Sequence, residues 1–162
     1  MIVHIVATGG TFEKHYDEVR GDLVFTSSHI PDMMKRARVS PSYTFEEVSM
    51  LDSLDMQEKD RENILKSCKQ VPANRIVIIH GTDTMQDTAA VLGKAALKKT
   101  IVLTGAMIPY EFDHSDAFFN LGFAVSAVQL LPSGVYIVMN GQIFEWDKVT
   151  KNRRAGVFEA VS

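Results

Sequence analysis

Two stretches of this chain end an apolar run on glycine followed by threonine. Ile2 to Tyr16 reads IVHIVATGGTFEKHY, and Arg75 to Ala90 reads RIVIIHGTDTMQDTAA. Thr11, Thr82 and Thr84 place hydroxyls at these turns, Asp83 adds a carboxylate, and Tyr16 and Ser53 are further hydroxyls nearby in sequence, with Asp55 a second carboxylate. A threonine hydroxyl is a weak nucleophile until a base takes its proton. Histidine is not required, because a lysine with a lowered pKa serves when a carboxylate orients it. Asp83 directly follows Thr82, so one turn offers hydroxyl and carboxylate together, and the lysine has to come from elsewhere. Glycine lets the backbone turn sharply and approach a ligand closely. Successive N–H groups at such a turn attract an anion or a developing oxyanion. The same letters suit a plainer role. Thr82, Asp83 and Thr84 are good caps for a following helix, and Thr11 can satisfy a backbone amide in a tight turn. Spacing alone leaves both readings open for each turn, but two turns of one kind at one sheet edge point to a shared site.

Other chemistries find less support. A dinucleotide fingerprint needs a third glycine after G-x-G, and TGGTFEKH has none. A phosphate loop needs G-K-[ST], whereas Gly93-Lys94-Ala95 lacks the hydroxyl and falls inside a predicted helix. No G-x-S-x-G elbow is present. His114-Ser115-Asp116 holds the three residue types of a catalytic triad, but sequence neighbours rarely converge in space, and a solvated loop with a cap at Ser115 or Asp116 is the better reading. His4, His15, His29 and His80 show no metal-ligand spacing, and His4 and His80 read as strand residues.

The elements that must hold these residues alternate between strand and helix. Val3 to Ala7, Phe45 to Met50, Arg75 to Ile79, Thr100 to Leu103 and Val135 to Met139 read as strands. Arg75 to Ile79 is apolar on consecutive residues, as parallel strands covered on both faces are. Glu13 to Thr26 is polar and reads as a loop or hairpin. Ser28 and Pro31 mark a helix start. Asp55-Met56-Gln57-Glu58 has the spacing of a capping box. Ile64, Leu65, Cys68 and Val71 then form one apolar face, stopped by Pro72. Thr84 to Leu97 and Asp116 to Leu131 read as helices. Helices between strands imply parallel βαβ units. The expected fold is α/β, a flavodoxin- or Rossmann-like three-layer sandwich with a mostly parallel sheet, in which ligands bind at the carboxyl ends of the strands.

Composition bounds the function. The chain has 162 residues, 46% of them hydrophobic and 23% charged. A chain of this kind is expected to form one domain with a real core. A net charge of -3 argues against nucleic acid or an anionic membrane surface as main partner. No apolar run approaches the roughly 20 residues of a membrane helix. Cys68 is the sole cysteine, which excludes an internal disulfide and a cysteine-based zinc site. With Met1-Ile2-Val3-His4 entering a strand directly, a reducing cytoplasmic location is expected.

Here the motifs resemble a known family. ATGGT (Ala7 to Thr11) and HGTDTM (His80 to Met85) are similar to the two threonine signatures of bacterial-type L-asparaginases and glutaminase-asparaginases. SLDM (Ser53 to Met56) resembles the family's Ser-Gln-Asp-Met substrate loop, and LTGAMIP (Leu103 to Pro109) its Gly-Ala-Met-Arg-Pro segment. SDAFFNL (Ser115 to Leu121), VYIVMNGQIF (Val135 to Phe144) and DKVTKN (Asp147 to Asn152) continue the resemblance in order across nearly the whole chain. It implies hydrolysis of a side-chain amide, L-asparagine or a related small amide, to the acid and ammonia without metal or cofactor. Thr11 is then the nucleophile, with Thr82, Asp83 and Lys151 as a second hydroxyl-carboxylate-lysine set and Tyr16 as the lid tyrosine. Gly10, Ser53, Asp55, Gly81, Thr82 and Asp83 are the implied substrate contacts.

Two positions depart from the family pattern: Leu54 stands where it has glutamine, and Ile108 where it has arginine. The family also carries a second domain of comparable size. Residues 1–162 match only the first, so the chain is expected to be a single N-terminal-like catalytic domain without the C-terminal one. These departures support a rival expectation, a weak or inactive remnant that binds a small amino-acid-like ligand. A phosphate-binding flavodoxin-like module is a third class with no motif behind it. A missing wall to the cleft also predicts a homodimer or dimer of dimers, with Phe118, Phe119 and Phe123 as candidate interface residues.

Overall fold

The computed structural model describes residues 1–161. Its centre is a six-stranded sheet built from β1 (Ile2–Gly9), β4 (Ser42–Leu51), β5 (Arg75–Ile79), β6 (Thr100–Thr104), β7 (Gly134–Met139) and β8 (Gln142–Glu145). Two small hairpins flank it, β2 (His15–Asp17) with β3 (Asp22–Val24), and β9 (Val149–Asn152) with β10 (Val157–Ala160). The helices are α1 (Ile30–Arg36), α2 (Glu58–Gln70), α3 (Met85–Lys94) and α4 (Ala117–Leu130).

The sheet order is β4-β1-β5-β6-β7-β8, parallel throughout except for β8. Counting only the parallel strands along the chain, this is the flavodoxin order 2-1-3-4-5. The chain winds outward from β1 in both directions, so the crossovers part at the β1–β5 boundary. The core reflects this. Val3 and Ile5 of β1 pack with α1 and α4 on one face, while Val6 packs with α2 and α3 on the other. Consecutive strand residues are apolar because both faces are covered, and Ile76 to Ile79 are fully buried. The three-layer α/β reading holds.

Boundaries shift for local reasons. The polar stretch after Thr11 is a short 3-10 turn, Thr11–Glu13, followed by the β2–β3 hairpin. β4 runs longer than Phe45 to Met50, because pairing with β1 extends it despite a polar composition. Helix α2 starts at Glu58, since Asp60 rather than Glu58 reaches back: its carboxylate accepts the Gln57 N–H at 2.9 Å. Helix α3 ends at Lys94, short of Leu97, with Ala96 in the left-handed region (φ 48°). His80 lies one residue beyond β5, with its N–H on the Thr104 carbonyl at 2.9 Å. β7 agrees with the strand read at Val135 to Met139, and the antiparallel β8 follows it directly. Asn140 and Gly141 (φ 48° and 86°) form the tight turn between them. Asn-Gly is a strong hairpin signal that a reading based on apolar runs passes over.

Candidate active site

The two Gly-Thr turns follow β1 and β5, neighbouring strands at the point where the crossovers part. They touch through missing side chains. Gly10 adopts φ 79°, and a β-carbon there would overlap the backbone of Gly81. One on Gly81 would lie 2.5 Å from the Ser53 β-carbon and 2.6 Å from its hydroxyl. Three separate sequence motifs are thus packed against one another at distances only glycine permits.

The second turn is held from several sides. Thr82 is buried, and its Oγ1 accepts a hydrogen bond from Lys151 Nζ at 2.8 Å. The same ammonium reaches Asp83 Oδ1 at 2.8 Å. The lysine side chain is 11% exposed. The ammonium is thereby shielded from bulk water, while the Asp83 side chain is 34% exposed, which screens the pair in part. Lys151 comes from β9, whose backbone N–H at this residue bonds Gln86 Oε1 of α3 at 3.3 Å. The strand is seated there in part because Trp146 lies directly on Gly93 of α3. Gly93-Lys94-Ala95, weighed above as a phosphate loop, is therefore helix and a packing seat.

The helix-cap alternative for this turn does not hold. Among the described residues, no side-chain cap closes α3. Thr82 and Asp83 are engaged by Lys151, and the Thr84 hydroxyl donates instead to the Ser53 carbonyl at 2.8 Å. Ser53 is buried, with its Oγ 3.4 Å from the Thr84 N–H. Ahead of α4, Ser115, one residue before the cap position, accepts the Ala117 N–H on its Oγ at 3.0 Å. Asp116 does other work: its carboxylate accepts the N–H groups of Met107 and Ile108, which secures the turn after β6.

The first turn is more open. Thr11 is half-buried at the start of the 3-10 turn. Tyr16 lies on β2 with 54% of its surface exposed, and its N–H bonds Glu111 Oε2 at 2.6 Å. Asp55 is exposed in the loop after Ser53, and its N–H bonds the Asp52 carbonyl. Leu54 is 63% exposed, while Ile108 is half-buried.

Several supporting residues carry no local sequence signal. Lys14 donates to Asp52 Oδ2 at 2.7 Å, tying the first turn to the Ser53 loop, and this bond holds the Asp52 carboxyl below its ordinary range. Glu13 is fully buried and accepts from the Ser28 hydroxyl and the His29 N–H, both at 2.7 Å. Burial raises its carboxyl, against those two hydrogen bonds. His80 is wholly buried, which pushes its pKa down to about 4. Its Nδ1 lies 2.8 Å from the Gly81 carbonyl. That oxygen can only accept, so Nδ1 carries the proton. Nε2 then accepts from the Thr88 hydroxyl at 2.7 Å. A neutral histidine with both nitrogens committed is a brace for the Gly81 turn. Cys68 is buried, which raises its thiol to about 12 and leaves it inert. A cleft of about 700 Å³ opens at the other end of the sheet, beside Met1, Arg75 and Thr100 at the strand starts, away from all of these groups.

An α/β sheet that gathers two glycine-supported hydroxyls and a lysine-carboxylate pair at its switch point has the parts of a hydroxyl-nucleophile hydrolase. The chain belongs to the asparaginase family, whose N-terminal domain matches residues 2–161. It is 29% identical over 165 residues to L-asparaginase 1 of Escherichia coli K12, covering 95% of this chain and 48% of that protein. It is 32% identical over 163 residues to the glutaminase-asparaginase of Acinetobacter glutaminasificans, covering 92% and 49%. The structure is similar to the thermostable L-asparaginase of Thermococcus kodakarensis, with a TM-score of 0.88 and 26% identity over 99% of this chain and 51% of that one. The chain therefore spans about half the length of the relatives it matches.

Proposed function

We propose that this protein is an amidohydrolase that converts L-asparagine, or a related small amide, to the acid and ammonia through a threonine nucleophile. The observation that carries this is Lys151 Nζ at 2.8 Å from both Thr82 Oγ1 and Asp83 Oδ1, beside the Gly10–Gly81 contact, in a chain of the asparaginase family. Thr11 Oγ1 attacks the amide carbon, and its proton passes through the Thr82-Lys151-Asp83 set to the leaving nitrogen, which departs as ammonia. Water then cleaves the ester on Thr11, returning the proton and releasing the acid. Backbone N–H groups of the glycine turns receive the oxyanion in each half. Ser53, Asp83, Gly10, Gly81 and Asp55 surround the substrate's polar ends, and Tyr16 belongs to the lid. No step calls for a metal or organic cofactor. Ammonia release from L-asparagine and L-glutamine by purified protein tests this reading, and turnover unchanged in Thr11→Ala would refute it.

A second reading rests on Leu54 and Ile108, two apolar residues at positions where the family pattern has glutamine and arginine. On that reading the domain binds an amino-acid-like ligand with little or no turnover. Saturable heat on titrating L-aspartate, without ammonia release from L-asparagine, would favour it.

We further propose that this domain pairs with a copy of itself. Phe118 and Phe119 on α4 are 39% and 61% exposed, whereas Phe123 packs partly into the core. Exposed aromatics this close together favour a partner. Light scattering on size-exclusion fractions decides between dimer, tetramer and monomer. A cytoplasmic location fits the single free cysteine, and no helix among the described residues is long and apolar enough to cross a membrane.

A further inference from the structure

His15 and His29 show no ligand spacing along the chain, yet the fold stacks them. Their ring centroids are 3.9 Å apart with 29° between the planes. Glu111, from the loop between β6 and α4, joins them. One nitrogen of each histidine and one oxygen of Glu111 all lie within 4.8 Å of one another.

Hydrogen bonds orient His15 and Glu111. His15 Nε2 is 2.8 Å from the Ser27 carbonyl. That oxygen can only accept, so this nitrogen carries the proton. In the neutral ring, Nδ1 then presents a lone pair toward Glu111 Oε1, 3.1 Å away. Either a proton on Nδ1, which makes the contact an ion pair, or a metal ion in its place satisfies both atoms. The other oxygen of Glu111 is held by the Tyr16 N–H at 2.6 Å. His29 Nε2 is buried with no hydrogen-bond partner among the described residues. Tyr110 packs edge-on against the His29 ring, with centroids 5.1 Å apart. A buried imidazole nitrogen without a partner is costly. A histidine that ligates a metal almost always donates its other ring N–H to a carbonyl, carboxylate or water, as His15 does to Ser27.

We propose that His15, His29 and Glu111 form a binding site for a zinc-class divalent cation, which clamps the β2–β3 hairpin to the loop after β6. Two imidazoles and one carboxylate suit such a cation, leaving a fourth position to water beside the exposed Glu111. In a tetrahedral shell with bonds of about 2.0–2.1 Å, ligand atoms sit about 3.4 Å apart, so completing the site takes closure by up to about 1.4 Å and a turn of the stacked rings toward one point. The cation takes no part in amide chemistry. It fixes the segment that carries Tyr16 and, four residues before His15, Thr11. The inference stands or falls apart from the amidase reading, because its readouts are binding and proteolysis.

The test is calorimetric titration of chelator-treated protein with Zn2+ alone, in a non-coordinating buffer near neutral pH. One Zn2+ per chain is expected. His29→Ala and Glu111→Gln should each weaken binding at least ~100-fold, since even support residues of metal sites commonly change affinity 10–100-fold. His114→Ala, an exposed histidine outside the cluster, should bind as the unmodified chain does. Trypsin cleavage at Arg20, exposed in the hairpin turn, should slow in Zn2+ for the unmodified chain and not for His29→Ala. If a variant fails to fold, X-ray absorption on the Zn2+-loaded unmodified chain reads the shell directly, with two imidazoles and a carboxylate oxygen expected. No saturable Zn2+ binding, binding unchanged in both variants, or a shell without imidazole would overturn the proposal.

Discussion

The turns at Gly10-Thr11 and Gly81-Thr82 share their letters but are held by different surroundings. After Thr82 the chain enters α3, a long element packed on the sheet. That helix gives β9 a seat, and β9 delivers Lys151 to Thr82 and Asp83. After Thr11 the chain enters a three-residue 3-10 turn and a small hairpin outside the main sheet. Phe12 plugs the turn into the core, and beyond it the anchors are polar: Lys14 on Asp52, Glu13 on Ser28 and His29, and Glu111 on the Tyr16 N–H. A turn locked by packing can keep a proton-transfer set in register. A small hairpin outside the main sheet, tied down by a few polar contacts, can open for substrate and close again, because its local stability is lower. On the proposed mechanism the pair divides the work of one site, with the second turn handling protons and the first meeting the substrate.

The sharpest way to break this comparison is to remove each hydroxyl. Thr11→Ala is expected to lower turnover by about a thousandfold or more, with melting temperature nearly unchanged, as loss of a nucleophile does. Ammonia release and thermal melts read the two effects. If Thr82→Val and Lys151→Met work as one unit, each should cost about a hundredfold in turnover and the double variant little more. Additive losses would mean that the two side chains act independently.

The contact between the turns is a matter of stability. Gly10→Ala forces a β-carbon into Gly81 at a positive φ. A loss of about 4 kcal/mol is expected from strain and overlap together. Gly21 has the same strain (φ 67°) but open space around it. Gly21→Ala is therefore expected to cost only about 1 kcal/mol. Urea denaturation of the pair separates overlap from backbone strain.

His80 braces only the second turn and predicts a pH effect. The unfolded chain protonates this ring near pH 6.5, and the folded one near 4. Between those values the unfolded state binds more protons, so stability falls as pH drops through the window, by about 3 kcal/mol in all. Replacement by glutamine should flatten that part of the stability-pH curve. The smallest effect belongs to the substrate loop, where Leu54 is 63% exposed. Leu54→Gln adds a hydrogen-bonding group there and should lower KM for L-asparagine about tenfold, the worth of roughly one charged hydrogen bond. An unchanged KM would place the substrate's ammonium elsewhere.

Local patterns carried much of the fold. Consecutive apolar residues from Arg75 to Ile79 mark a strand covered on both faces, and the diglycine after Thr8 marks a sharp turn whatever surrounds it. The alternation of such strands with amphipathic helices implies the parallel sheet, because these periods reflect burial of each element taken singly. Where partners compete, the letters did not suffice. Thr82, Asp83 and Thr84 are good caps by type, yet Lys151 and the Ser53 carbonyl take them in the folded chain. Only the tertiary structure decided that β1 lies beside β5, and hence that Gly10 meets Gly81. It likewise decided that Lys14 finds Asp52 and that His15 and His29 stack under Glu111. Such meetings depend on the order in which strands join the sheet and on where crossovers return, and no local period encodes that order.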